Sequence, residues 1–353
     1  MFFATLKLLR ESPLRILWGG HESVLIFFIL SGYVLSLTYL KGKQQKYPQY
    51  IIKRLCRLYI PFVVAVIIAI ILNKMFYTGS GSFASLSGWI NNHWAEFQWN
   101  SFINHFLFIG NYDTHAFNGP IWSLVHEMRI SIVFPLLMYI VMRYGLRLNV
   151  TIAFVLSFIG FGLSKLTGSS NIDFFITLHY ASLFIFGALL AKYTDDVVQY
   201  YKTLANSARI LLFVTSVLLL TYPYWLLPNL GIIHIRVIND WVSATGAIIL
   251  ISLALSDETF VRYLMSKPLL FLGKISYSFY LYHFIIILAL LHALYGVIPV
   301  WTICVFSIMA TFLVASVMYW LVELPGIKSG RLLTNSSKQK IPVSADAGSA
   351  KVG

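Results

Sequence analysis

Four short stretches of this chain combine residue types and spacings that can do chemistry. In Lys53-Arg54-Leu55-Cys56-Arg57-Leu58-Tyr59-Ile60-Pro61, two arginines stand three apart. On a helix that spacing puts both on one face, and planar guanidiniums grip phosphate oxygens through paired N–H donors. The pair suits an anionic donor arriving from the cytoplasm, such as a coenzyme A thioester, and equally suits a basic anchor at a membrane surface. In Gly119-Pro120-Ile121-Trp122-Ser123-Leu124-Val125-His126-Glu127-Met128-Arg129, Gly-Pro opens a helix near the outer surface, and Ser123 and Glu127 share a face at i, i+4. A part-buried glutamate there serves as an acid or base or orients a hydroxyl acceptor. The structural alternative is an ion pair with Arg129 or a neighbouring helix, although Glu127 and Arg129, two apart, cannot face each other on one helix.

The third stretch, Ser276-Tyr277-Ser278-Phe279-Tyr280-Leu281-Tyr282-His283, places Ser276, Tyr280 and His283 at i, i+4 and i+7, one face of one helix. A polar stripe inside an apolar span faces the bundle interior or a cavity. His283 is suited to shuttling a proton or to a hydrogen bond between helices. The fourth, Glu323-Leu324-Pro325, puts a carboxylate where a proline ends the last span; it reads as functional or as an interfacial carboxylate. His21, His93, His105, His115 and His234 read as loop or interface residues without metal-ligand spacing.

The elements that must hold these residues are membrane helices. Of 353 residues 58% are hydrophobic and only 11% charged, against about 25% charged in soluble domains. One soluble core cannot hide so much apolar surface, whereas lipid is itself the apolar solvent. Apolar runs lie at roughly 21–40, 59–76, 121–142, 149–166, 173–192, 209–227, 238–256, 275–295 and 299–321, each near the ~20 residues that cross ~30 Å of hydrocarbon. None alternates as a barrel strand does. The expected fold is therefore an all-α polytopic membrane protein, a bundle of about nine transmembrane helices over residues 1–334, with a polar, disordered cytoplasmic tail over 335–353.

Most of the 26 Lys and Arg fall in alternate loops and the tail, whereas residues 77–120 contain none. The positive-inside rule then puts the 41–58 loop and the C-terminus in the cytoplasm, and 77–120, with Trp89, Trp94 and Trp99, outside. Within it, Phe102–Ile109 is too short to span and reads as re-entrant. The net charge of +13 belongs to these loops and to anionic membrane lipid, and no nucleic-acid motif accompanies it. Cys56, in the basic loop, and Cys304, in mid-span, form neither a disulfide framework nor a metal pattern. No G-x-S-x-G nucleophile motif occurs.

Gly20-His21-Glu22-Ser23-Val24-Leu25-Ile26-Phe27-Phe28-Ile29-Leu30-Ser31-Gly32-Tyr33 resembles the GxxxVxxFFxLSGF stretch of the membrane-bound acyltransferase 3 family. Arg54-x-x-Arg57 with Pro61, Trp122-Ser123-Leu124-x-x-Glu127, Ser276-Tyr277-Ser278-x-Tyr280-Leu281-x-His283 and Glu323-x-Pro325 look like that family's later blocks, in its order. The resemblance implies a bundle of about ten helices in the inner (plasma) membrane. It also implies O-acyl transfer, commonly of acetyl, from acyl-CoA to a hydroxyl of a surface glycan or lipid-linked saccharide. Arg54 and Arg57 would hold the CoA phosphates. Glu127, Tyr280 and His283 would line the cavity, and Ser123, Tyr280 or Trp122 would donate to an oxyanion. The family's first helix, with an arginine and a catalytic histidine about ten residues on, is expected to be missing here, since His21 belongs to the following block. Nine spans with an inside C-terminus agree with that, because Lys7, Arg10 and Arg15 would otherwise be translocated without a signal peptide. On the resemblance, the proton-accepting base is expected on that helix. Two other classes stay open: a transporter or flippase for a lipid-linked glycan, against which the lack of an internal repeat weighs, and an inactive truncated relative.

Overall fold

The computed structural model describes residues 11–42, 46–79, 81–83, 85–168, 173–226 and 235–335. Among them, nine helices are long and apolar enough to cross a membrane. In chain order the helices that position the site are α1 (Gly20–Leu40), α2 (Tyr47–Phe76), α3 (Trp99–Phe106), α4 (Trp122–Arg143), α5 (Leu146–Leu166), α6 (Phe174–Lys192), α7 (Thr194–Thr203), α8 (Asn206–Trp225), α9 (Arg236–Ser256), α10 (Glu258–Leu264), α11 (Lys267–Leu294), α12 (Val300–Met318) and α13 (Leu324–Asn335). A π-helical turn, Tyr319–Glu323, joins the last two. His234 and residues 336–353 lie outside the described residues.

The largest departure from the expected boundaries is α2. Residues 47–58, expected as loop, are its first three turns, so Arg54, Cys56 and Arg57 sit on a helix of 30 residues. Pro48 falls at the helix start, where a missing N–H costs nothing. The extra turns are anchored to α4. Pro135 lacks an N–H, so the carbonyl of Ser131, four residues earlier, has no helical donor. The Tyr50 hydroxyl donates to that carbonyl, and the Tyr47 hydroxyl donates to the next one, Ile132, each at 3.0 Å. Internal partners of this kind let lipid-facing helices tolerate proline.

Helices α1 and α6 approach backbone to backbone at two glycines. A Cβ on Gly32 would strike the Phe184 backbone, and one on Gly187 would strike the Ile29 backbone. Small residues are the usual means of close helix packing in lipid, where dispersion rather than water exclusion drives association. Around this contact lies one apolar cluster that includes Phe28, Phe134, Tyr180 and Phe184. A second cluster joins α2, α4 and α11 through Phe62, Leu124, Met128 and Leu281. The 88–121 segment caps that second cluster, with Trp94 and Phe117 buried in it. Its apolar piece forms the eight-residue helix α3, which does not span. Helix ends are satisfied locally. Asp173 accepts the Phe175 N–H at the start of α6, and Lys192 Nζ donates to the Val141 and Tyr144 carbonyls at the end of α4.

Candidate active site

Two cavities meet inside the bundle. The first, of about 300 Å³, is lined by Arg54, Arg57, Glu127, Ser123, Ser276 and Tyr277, among others. The second, of about 330 Å³, is lined by His21, His93, His115, His283, Trp122 and Arg236. Val24 and Tyr280 line both, so they form the wall between a basic chamber and a histidine chamber. The stripe of α11 explains this placement. Ser276 faces the basic chamber, His283 the histidine chamber, and Tyr280, between them on the same face, faces both.

Tyr280 lies at the middle of α11, and the start of α4 packs against it, so α4 begins inside the bundle rather than at its outer edge. The Tyr280 hydroxyl makes a short hydrogen bond to the Pro120 carbonyl, which can only accept. The Ser123 hydroxyl, 2.7 Å away, is therefore the donor to Tyr280 Oη. Both hydroxyl protons are thus engaged. By contrast, the Trp122 indole N–H borders the histidine chamber with no hydrogen-bond partner among the described residues.

The two arginines differ. Arg54 is buried, and its Nη2 donates to Glu127 Oε1 at 2.8 Å and to Ser131 Oγ at 2.7 Å, with Nε also donating to Ser131 Oγ. Glu127 thus takes its partner from a neighbouring helix, while its Oε2 is buried without one. Arg57, one turn further on, is exposed to the basic chamber and has no ion-pair partner among the described residues. Arg129 instead ties the outer segment down, donating to the carbonyls of Ile109 and Gly110 and to Thr177 Oγ1, with its guanidinium over the Phe174 ring. Glu323 is buried and accepts from Ser278 Oγ at 2.6 Å.

The histidines depart most from their reading as loop or interface residues. His21 is in the first turn of α1, stacked beside Trp122, with Nε2 2.7 Å from Asp240 Oδ1. Asp240 also meets His179 Nε2, at 3.0 Å, and both are buried. Asp240 and His179 escaped the sequence reading, yet a signal existed: each is an ionisable residue inside an apolar run. His93 and His105 are buried, and each Nδ1 donates to the carbonyl four residues earlier, Trp89 and Ser101. Burial pushes His93 down to about 4 and His105 in the same direction.

A family model described as an acyltransferase domain matches residues 14–320. The O-acetyltransferase OatA of Staphylococcus aureus (strain NCTC 8325 / PS 47) is 24% identical over 343 residues, 88% of this chain and 53% of that protein. A relative from Staphylococcus aureus (strain MRSA252), carrying an inferred O-acetyltransferase name, is 25% identical over 362 residues, 92% of this chain and 56% of its own length. The chain spans about half the length of the curated relatives it matches. No solved structure matches.

Proposed function

The chain belongs to the acyltransferase family, and from that premise we propose that it moves an acetyl group from acetyl-CoA to a hydroxyl of a surface glycan or lipid-linked saccharide. The observation that carries this reading is the pair of chambers meeting at Tyr280, one basic and one rich in histidine. Transfer needs a site for a polyanionic donor, a site for a neutral hydroxyl, and a place where their reacting atoms touch.

The basic chamber takes the donor. Arg57, whose guanidinium has no ion-pair partner among the described residues, grips phosphate. Arg54, held by Glu127 and Ser131, adds positive potential from a fixed position. The basic end of the bundle faces the cytoplasm of a cell bounded by an inner (plasma) membrane, where acyl-CoA is supplied, and the C-terminus lies on that side. The acceptor enters the histidine chamber from the other side. As its oxygen bonds the thioester carbon, a proton leaves the hydroxyl, negative charge gathers on the carbonyl oxygen, and the C–S bond then breaks to release CoA thiolate. The Trp122 indole N–H, without a hydrogen-bond partner among the described residues, is a donor available beside that point. Ser123 and Tyr280 hold the wall in shape, and His283, whose Nδ1 donates to the Tyr280 carbonyl at 2.8 Å, presents its other nitrogen to the acceptor.

The test uses membranes of the source cell containing the overproduced chain and acetyl-labelled acetyl-CoA. Label should enter a base-labile ester in the glycan or lipid fraction, and Arg57→Ala should slow its appearance. No ester label would overturn the reading. Movement of labelled lipid-linked glycan across vesicles without ester formation would favour the transporter.

A further inference from the structure

A line of hydrogen bonds runs from the histidine chamber into the bundle. His21 Nε2 is 2.7 Å from Asp240 Oδ1, and the other carboxylate oxygen is 3.0 Å from His179 Nε2. His179 Nδ1 is 2.6 Å from Ser157 Oγ, which accepts the Trp241 indole N–H at 2.9 Å. Helices α1, α9, α6 and α5 each supply a member.

One assignment of protons satisfies every link. Ser157, accepting from Trp241, donates its hydroxyl proton to His179 Nδ1. His179 then donates through Nε2 to Asp240, and His21 donates through its own Nε2 to the second carboxylate oxygen. Asp240 thereby takes one N–H on each oxygen as a carboxylate, and Arg236, one turn away on the same helix, lines the chamber beside it. His21 is left with Nδ1 as a lone pair. That nitrogen has no hydrogen-bond partner among the described residues, and the side chain is 29% exposed where it borders the chamber.

A carboxylate 2% exposed inside an apolar bundle is costly, and packing alone gives no reason for it. Orienting an imidazole does: a nucleophile or base held by a third group is the recurring arrangement in proton-transfer sites. His283 shares the chamber, but among the described residues its ring is backed by main-chain carbonyl rather than by a carboxylate. We infer that His21 is the general base that accepts the acceptor hydroxyl's proton on Nδ1, with Asp240 and His179 as positioning residues that fix its tautomer. This rests on the acyl-transfer reading, and it places the base on α1 rather than on the preceding helix where the family resemblance puts it. The acceptor O–H bond breaks as its oxygen bonds the acyl carbon. The proton passes to His21, whose imidazolium is offset by Asp240, and the C–S electron pair leaves with CoA sulfur. The thiolate can then recover a proton from water, and His21 returns its own to solvent in the chamber.

The experiment measures ester formation from labelled acetyl-CoA in the source cell's membranes, with folded protein counted by size-exclusion profile. Wild type must form ester; if it does not, the acyl-transfer reading itself fails. With active wild type, His21→Ala should lose about 100-fold or more in rate per folded protein, with the KM for acetyl-CoA changed less than about 3-fold. Added imidazole should recover part of the rate in His21→Ala and none in Arg57→Ala. Asp240→Asn should lose rate with the same unchanged KM. If His21→Ala does not fold, His21→Gln, which keeps a donor toward Asp240, takes its place and should be as inactive. A His21 variant within about 3-fold of the wild-type rate per folded protein, or a folded His21→Ala without imidazole rescue, would overturn the inference.

Discussion

Ser123 and Tyr280 meet hydroxyl to hydroxyl at 2.7 Å across 157 residues of sequence, and the Tyr280 hydroxyl passes on to the Pro120 carbonyl. This link pins the start of α4 to the middle of α11 and closes the wall between the chambers. Tyr280→Phe removes both hydrogen bonds from a part-buried site, so it should cost about 1–3 kcal/mol. Ser123→Ala leaves Tyr280 bonded to Pro120 and should cost less. Thermal unfolding of the two variants in the same detergent checks the order.

Arg54 and Arg57 should separate in their effects. Arg54→Ala strands the Glu127 carboxylate in a buried site, with an expected loss of about 3–5 kcal/mol and little folded protein recovered. Arg57→Ala removes a guanidinium with no ion-pair partner among the described residues, so the fold should survive. Its KM for acetyl-CoA should rise about 10- to 100-fold, the worth of a hydrogen bond to a charged group. Steady-state kinetics beside a melting curve distinguishes the two, and equal melting losses would count against the division of roles.

Gly32 and Gly187 carry the close approach of α1 and α6, the helices that also carry His21 and His179. Gly187→Leu forces backbones apart where no flexible side chain can yield, so folded protein in membranes should fall severely. Gly20→Ala, with open space around its Cβ, should fold like the wild type. Fluorescence-detected gel filtration of tagged variants reads the contrast directly.

Acid should loosen the 88–121 cap first. His93 donates through Nδ1, so its buried Nε2 is the protonation site, and it has no hydrogen-bond partner among the described residues. With its value pushed from 6.5 to about 4 by burial, the unfolded state binds more protons between those limits. Stability therefore falls as pH drops through that window, by up to about 3 kcal/mol for His93, and His105 adds in the same direction. Hydrogen exchange should show residues 88–121 losing protection at pH 4.5 relative to pH 7, and His93→Asn should reduce the difference.

Much of the architecture was legible residue by residue, because a bilayer imposes length and composition on each segment independently of its neighbours. The order of apolar runs, the basic loops and the i, i+4, i+7 stripe of Ser276, Tyr280 and His283 follow from that constraint and from helical geometry. Boundaries shifted where the decisive partner lay far away. The first turns of α2 look like a charged loop until Tyr50 finds the carbonyl that Pro135 leaves free on α4.

The pairings themselves belonged to the tertiary structure. Arg54 meets Glu127 across 73 residues and His21 meets Asp240 across 219. Helical periodicity tells which side chains share a face of one helix but carries no information on which helix that face meets. Small residues such as Gly32 and Gly187, and the crossing geometry they permit, decide that. So His21 read alone was a loop or interface residue. Packing α1 against α6 and α9 set it on a buried carboxylate at the edge of a chamber.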